Sequence, residues 1–111
     1  MAKNSVAFCV RKDLNASALT VNYQAINPDG FDIPVMAMRL VNNSNKDLDI
    51  SFDGSADHYM IQDGEVLELD FQTNANPTSF YCNAKLGQQV FVKAAAAGTG
   101  YIYLSAFGQG L

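Results

Sequence analysis

Repeated runs of alternating side-chain character in the second half of the chain, residues 48–107, are the feature that most constrains its fold. Apolar side chains occupy every second position in 48–52 and in 67–71, and aromatic and aliphatic residues alternate in 101–107. A period of two is typical of β-strands that turn one face towards a core. Asp63-Gly64, a favoured two-residue hairpin turn, separates two of these runs. The pattern predicts one β-hairpin after another.

Turn residues divide the chain into short segments, at a spacing of about ten residues that is typical of all-β domains. Asn27-Pro28-Asp29-Gly30 is a strong turn signal, because Pro fixes φ and Gly accepts positive φ. Residues 42–46 are predicted to close one hairpin and Gly98-Thr99-Gly100 another. Ala94–Ala97 has high helix propensity, but four residues before a glycine cannot nucleate a helix, so we assign it to a hairpin arm. We predict strands at 5–11, 16–26, 34–42, 47–53, 58–62, 65–71, 79–82, 88–94 and 100–107.

These elements predict an all-β protein, a single-domain antiparallel β-sandwich or small barrel of jelly-roll-like type. The domain is expected to span residues 1–111, with short flexible termini at 1–4 and 108–111. No long apolar stretch follows the first residues, so we expect neither a signal peptide nor a membrane-spanning segment. Six apolar side chains are predicted to point into the core: Leu48, Ile50, Phe52, Leu67, Leu69 and Phe71.

The surface is predicted to be short of charge. Charged residues make up 16% of the chain, against about 25% in ordinary globular proteins, and ten Asn and six Gln supply much of the polarity. Two interpretations remain open, a merely neutral surface or a built-in assembly surface. A net charge of −4 argues against nucleic-acid binding, which normally needs a basic patch. Eight acids and no Lys or Arg lie in 47–70, either as a solvated face or as a means of orienting subunits.

Residue types that carry chemistry are sparse. His58 is the only histidine, and neighbours in sequence alone do not make a catalytic triad. Residues 53–57 resemble part of a calcium loop but lack the later ligands, so we expect a plain turn. Cys9 and Cys82 lie far apart in apolar runs and are expected to be buried free thiols, with a single disulfide as the alternative. We therefore expect no catalytic residue, no metal and no cofactor.

One strand has two apolar faces. Tyr101, Tyr103 and Phe107 share one face, while Ile102, Leu104 and Ala106 share the other. Either the tyrosine face packs in the core, or its polar hydroxyl ends meet a neighbouring subunit. Leu111 gives the chain an apolar tip. The candidate protein–protein contact residues are therefore Tyr101, Tyr103, Phe107 and Leu111.

Distinctive strand and turn motifs occupy about the last two thirds of the sequence, beginning with Val41-Asn42-Asn43-Ser44, Leu48-Asp49-Ile50-Ser51-Phe52-Asp53-Gly54 and Leu67-Glu68-Leu69-Asp70. These motifs carry a resemblance to small structural proteins of tailed-bacteriophage virions. It continues in Gln89-Val90-Phe91-Val92-Lys93 and in the ending Thr99-Gly100-Tyr101-Ile102-Tyr103-Leu104-Ser105-Ala106. It consists of β-strands and turns and contains no catalytic motif.

The resemblance implies a non-enzymatic protein, made in the host cytoplasm and carried in the virion. Such proteins decorate the capsid as accessory subunits or act as adaptors in the neck or tail. The implied partners are other virion proteins, either the major capsid protein or neck and tail proteins, and further copies of the chain as a homo-oligomer. Nucleic acid and membrane are not expected partners. The alternative from another class is a small β-sandwich module that binds a ligand such as a carbohydrate, although the chain has no Trp to serve as a platform.

Overall fold

A computed structural model describes residues 6–70 and 86–109, which contain nine β-strands in two antiparallel sheets. A single turn of 3₁₀-helix, Ala16–Ala18, lies between the second and third strands. The strands are β1 Val6–Phe8, β2 Lys12–Asn15, β3 Gln24–Ala25, β4 Val35–Ser44, β5 Leu48–Ser51, β6 Tyr59–Ile61, β7 Val66–Asp70, β8 Phe91–Lys93 and β9 Gly100–Gln109.

The five-stranded sheet is built around β9. Strands β1 and β2 lie end to end along one side of β9, pairing with 107–109 and 101–104 respectively. Between them the backbone N–H of Cys9 donates to the Ala106 carbonyl at 3.0 Å, which keeps the edge continuous. On the other side β9 pairs with β4 over most of its length, and β4 pairs with the edge strand β7.

The four-stranded sheet has the order β3-β8-β5-β6 and packs against the first sheet. If β1 and β2 count as one interrupted strand, each sheet has four strands, and the chain passes repeatedly from one sheet to the other. This is the topology of a jelly roll. The predicted all-β sandwich is therefore confirmed.

The core lies between the two sheets and is filled by aliphatic side chains. Leu40 and Leu104 from the first sheet and Leu48, Ile50 and Val92 from the second are at most 2% exposed. Of the other predicted core residues, Phe52, Leu67 and Leu69 are half-buried and pack against this cluster. Their exposure follows from their position, since β7 is an edge strand and Phe52 begins a loop. Phe71 lies outside the described residues.

Three predicted hairpins are wrong in their pairing, although the turns themselves are present. Gly64 has φ of 77° and the Glu65 N–H donates to the Gln62 carbonyl at 3.1 Å. This turn nevertheless joins β6 of one sheet to β7 of the other, and residues 45–47 and 94–99 likewise connect strands of different sheets. Among the described strands, only β5 and β6 both follow each other and pair. The sandwich architecture explains why these turns connect different sheets. When the chain crosses from one sheet to the other, the strands before and after the turn both turn their apolar faces into the same core.

Other predicted boundaries also change. The predicted strand 16–26 is wrong apart from β3, because Asn15 caps the 3₁₀ turn by accepting from the Ser17 N–H at 3.0 Å. Ala94–Ala97 forms neither helix nor strand. The predicted strand 79–82 lies outside the described residues.

The predicted flexible end at 108–111 begins too early, since β9 continues to Gln109. Gly108 pairs with Ala7, and a Cβ there would lie 1.9 Å from the Pro34 carbonyl oxygen. Gly108 therefore allows β9 to lie close to the backbone of Pro34, and this close packing, not flexibility of the chain end, is the reason for a glycine here. Gly110, Leu111 and the predicted flexible end at 1–4 lie outside the described residues.

A buried polar cluster ties two of the crossings together. Asn42 is fully buried, and its amide nitrogen donates to the carbonyls of Lys46 at 2.7 Å and Gln62 at 3.0 Å. Its amide oxygen accepts from the Ser44 backbone N–H at 3.2 Å and from the Ser44 hydroxyl. One side chain thus fixes both the β4–β5 and the β6–β7 connection, and it satisfies backbone groups that a sharp change of sheet leaves unpaired.

Candidate interaction surface

The outer face of the five-stranded sheet carries the residues of interest, because the register aligns them in rows across the strands. Ile102, Leu104 and Ala106 of β9 are buried, so the alternate residues point away from the core. Each row crosses the sheet in the order β1 or β2, β9, β4, β7. The two complete rows are Phe8-Phe107-Ala37-Asp70 and Asp13-Tyr103-Val41-Val66. A third row, Ser105-Arg39-Glu68, begins at β9, and a fourth, Asn15-Tyr101-Asn43, ends at β4.

Four aromatic side chains dominate this surface, and we call Phe8, Tyr101, Tyr103 and Phe107 the aromatic face. The rings of Tyr101 and Tyr103 stack with centroids 6.1 Å apart and planes 18° apart. Phe8 and Phe107 form a second pair, also at 6.1 Å. Phe8 is 79% exposed and Tyr101 is 43% exposed. The second sheet of the domain does not cover these rings, so the alternative in which the tyrosine face packs in the core is wrong.

Polar side chains of residues 11–15, in and just before β2, contact the tyrosine pair. The Arg11 guanidinium lies 4.9 Å from the centroid of the Tyr103 ring and donates from Nε to the Asp13 carboxylate at 2.8 Å. The Asn15 amide donates to the Tyr101 hydroxyl at 3.4 Å. These contacts favour one orientation of each ring, so little rotamer entropy remains to be lost when a partner binds.

A shallow depression lies beside the phenylalanine pair, over β4 and β7. Its volume is about 490 Å³, and its lining includes Phe8, Ala37, Arg39, Glu68 and Phe107. Arg39 and Glu68 are register partners on adjacent strands, and both are exposed. Within residues 6–70 and 86–109 neither of them enters an ion pair. Two opposite charges therefore lie directly opposite each other on adjacent strands at the floor of this depression.

A separate cleft opens at the edge of the sandwich where β6 and β7 approach. It has a volume of about 510 Å³, and its lining includes Phe52, His58, Tyr59, Leu69 and Gln88. The Phe52 ring lies 5.7 Å from the His58 ring and 6.0 Å from the Tyr59 ring. The Phe52 N–H donates to His58 Nδ1 at 3.0 Å, so a neutral His58 carries its proton on Nε2. This geometry uses His58 to hold the loop before β6.

Acidic side chains of the loop between β5 and β6 are engaged in internal contacts. Asp53 Oδ1 accepts from the Ala56 N–H at 2.9 Å, the Ser55 N–H at 2.8 Å and the Ser51 hydroxyl at 2.9 Å, which lowers the pKa of Asp53 to about 2. Residues 53–57 thus form a turn closed by their own carboxylate. No group of three potential metal ligands occurs among the residues that the structure describes.

Asp57, at the end of this loop, contacts the second sheet. It accepts a hydrogen bond from the Tyr23 hydroxyl and lies 3.3 Å from Lys93 Nζ. The pKa of Asp57 is lowered, first by the hydrogen bond from Tyr23 and then by Lys93. The pKa of Tyr23 is raised, first by burial and then by the same hydrogen bond. Lys93 also lies 4.6 Å from the centroid of the Tyr23 ring. Asp53 and Asp57 therefore hold the loop between β5 and β6 in place.

The predicted contact residues Tyr101, Tyr103 and Phe107 lie together on one outer face, whereas Leu111 lies outside the described residues. Sequence reasoning missed Phe8 and Arg39. The apolar run 6–10 marks Phe8 only as a strand residue, and its position beside Phe107 depends on long-range pairing. Cys9 is a free, half-buried thiol, and burial followed by the nearby Asp32 raises its pKa. In the described part of the chain no helix is long and apolar enough to cross a bilayer.

Comparisons of the chain with models of protein families, with curated proteins and with solved structures found no match.

Proposed function

We propose that this chain is a non-enzymatic structural protein of a tailed-bacteriophage virion, a capsid decoration or accessory subunit that attaches through its aromatic face. The observation that carries the proposal is the exposure of stacked aromatic rings on the outer face of a rigid sheet. Exposed apolar patches rimmed by polar residues mark interaction sites. Tyr, Phe and Arg are also the residues enriched in protein–protein interfaces.

The architecture and the composition support the same proposal. Jelly rolls are used in viral capsid domains, among others, although a fold alone does not determine function. A charged fraction of 16% lowers the desolvation cost of covering a surface. On a particle that repeats one binding site many times, a subunit that touches both the shell and its neighbours gains avidity from modest individual contacts.

The test is attachment to particles. Purified virions from the source are imaged by electron microscopy with the labelled protein, and wild-type and variant chains compete for incorporation. Tyr101→Ser should reduce incorporation, while Tyr59→Ser, at the edge of the other sheet, serves as the control, because the two side chains are 43% and 45% exposed. Absence of the protein from every particle, or equal incorporation of both variants, would contradict the proposal.

A second candidate function, a carbohydrate-binding module, is favoured by the cleft of Phe52, His58, Tyr59 and Gln88. Aromatic and amide side chains above an apolar floor can hold the apolar face and the hydroxyls of a sugar ring. Glycan-array binding that is lost in Tyr59→Ser but kept in Tyr101→Ser would support this function. Particle attachment that is lost in Tyr101→Ser but kept in Tyr59→Ser would support the structural role.

A further inference from the structure

We propose that His58 makes the loop between β5 and β6 sensitive to mild acid, holding the loop closed when its ring is neutral and releasing Phe52 when its ring is protonated. The backbone N–H of Phe52 donates to His58 Nδ1 at 3.0 Å. A neutral imidazole can accept this bond, whereas a protonated imidazole carries a hydrogen on both nitrogens and can only donate. The contact therefore exists in only one protonation state of the ring.

The position of His58 makes this contact important for the loop. The backbone N–H of His58 donates to the Ile50 carbonyl at 2.9 Å, so the main chain of His58 belongs to the end of the β5–β6 pairing. Its ring then binds the Phe52 N–H, which lies on the opposite side of the loop. The side chain is exposed, so protons reach it freely. One residue thus closes the base of the loop, and histidine is the side chain whose charge ordinarily changes between about pH 5 and 8.

The charged groups close to His58 are acidic, and they offer the protonated ring new partners. His58 interacts electrostatically with Asp53 and with Asp57 of its own loop. From β7, Asp70 is the only charged side chain other than His58 among the described residues that line the shared cleft. A protonated ring that turns away from the Phe52 N–H can therefore donate towards a carboxylate. The switch has two defined arrangements, one for each protonation state.

A second anchor of the loop does not depend on His58. Asp57 accepts from the Tyr23 hydroxyl and lies 3.3 Å from Lys93 Nζ, the base that approaches from β8. The pKa of Asp57 is lowered, first by the hydrogen bond from Tyr23 and then by Lys93, so this carboxylate stays charged in the pH range where histidines titrate. Protonation of His58 is therefore expected to free the loop near Phe52 and to leave it attached at Asp57.

The switch also changes the cleft at the edge of the sandwich, because Phe52 and His58 both line it, together with the titratable Tyr59. The Phe52 and His58 rings lie 5.7 Å apart, and a His58 ring that turns towards the acids leaves this contact. A molecule bound in the cleft would meet a different wall in mild acid. The switch lies outside the aromatic face, so it goes beyond the proposed structural role and does not depend on it.

Nuclear magnetic resonance of the isolated chain tests the proposal. In neutral solution the ring nitrogen shifts of His58 should show the tautomer protonated on Nε2. Between about pH 7.5 and 5 the protection of the Phe52 amide against hydrogen exchange should fall by roughly 5-fold, the factor that one net hydrogen bond supplies. The fall should share its midpoint with the His58 titration. The Ile26 amide, which donates to the Val90 carbonyl at 2.8 Å, should keep its protection.

His58→Asn is the matched variant. The amide oxygen of Asn can take the place of Nδ1 as an acceptor, but it does not titrate. Phe52 protection in this variant should therefore be the same at both ends of the pH range. His58→Ala removes the acceptor and should show the low protection throughout, again with no dependence on pH.

Four results would overturn the inference. In the wild type they are a neutral His58 protonated on Nδ1, Phe52 protection that stays constant while His58 titrates, or an equal loss of protection at Ile26, which would show general destabilisation by acid. The fourth is a pH-dependent loss at Phe52 that persists in His58→Asn. Absence of the protein from all particles would refute the proposed function and leave the switch standing, since the switch needs no partner.

Discussion

Replacement of Asn42 by Ala is expected to be among the most destabilising single polar substitutions in the described part of the chain. The side chain is fully buried and makes four hydrogen bonds, two to backbone carbonyls and two from Ser44. A typical intramolecular hydrogen bond contributes about 1 kcal/mol net. The Ser44 hydroxyl keeps a second acceptor, the Lys46 carbonyl at 3.3 Å, so one of the four losses is partly recovered. We expect Asn42→Ala to lower the free energy of unfolding by about 3–4 kcal/mol.

The measurement is urea unfolding, with the change read from the midpoint at constant m. Asn43→Ala is the matched control, since Asn43 is the next residue of the same strand, is exposed and makes no side-chain hydrogen bond with a described residue. It should change stability by no more than about 0.5 kcal/mol. The double variant Asn42→Ala/Ser44→Ala should cost less than the sum of the single changes, because the two residues share a bond.

A cost below about 1 kcal/mol for Asn42→Ala, beside a neutral Asn43→Ala, would refute the reasoning. It would mean that water or a local shift satisfies the Lys46 and Gln62 carbonyls. The two crossings would then not depend on this side chain.

Three further outcomes are expected. Leu40→Ala, in a fully buried site on a central strand, should cost about 3–5 kcal/mol in urea unfolding, whereas the half-buried edge-strand Leu69→Ala should cost about 1–2.5 kcal/mol; equal costs would place Leu69 in the core. Because hydrogen bonds lower the folded-state pKa of Asp53 to about 2, below an unfolded value near 3.9, its stabilising contribution is complete above about pH 4 and is lost as pH falls towards 2. Asp53→Asn should therefore flatten that part of the acid-unfolding curve, and an unchanged curve would show that the carboxylate is not held in this turn. Calcium should leave the melting temperature unchanged, since Asp53 is occupied by its own loop; a rise of several degrees would indicate a site.

The fold class could be predicted from the sequence because period-two alternation directly reports one buried face. The predicted strands at 5–11, 34–42, 47–53, 58–62, 65–71, 88–94 and 100–107 all overlap observed strands. The pairing could not be predicted in the same way. A turn signal such as Asp63-Gly64 shows that the chain reverses but not whether the next strand joins the same sheet or the opposite one.

The candidate surface could be predicted only in part. Period-two alternation placed Tyr101, Tyr103 and Phe107 on a common face, but which face of β9 is covered depends on packing against the second sheet. The aromatic pair of Phe8 and Phe107 depends on residues 99 positions apart in sequence, which no local pattern reveals. The buried role of Asn42 was hidden for the same reason, since an Asn-rich stretch in a strand-to-turn segment reads as exposed.

The central position of β9 has a consequence for the order of events during synthesis. Among the described strands, β1 and β2 pair only with residues 100–109, and β4 pairs with this segment as well as with β7; β9 is made after all the other described strands. Until that segment has left the ribosome, the earlier strands of this sheet expose unpaired edges and apolar faces, which favour aggregation. Folding of the domain is therefore expected to follow synthesis of β9, and a chain stopped before residue 100 lacks the centre of the sheet.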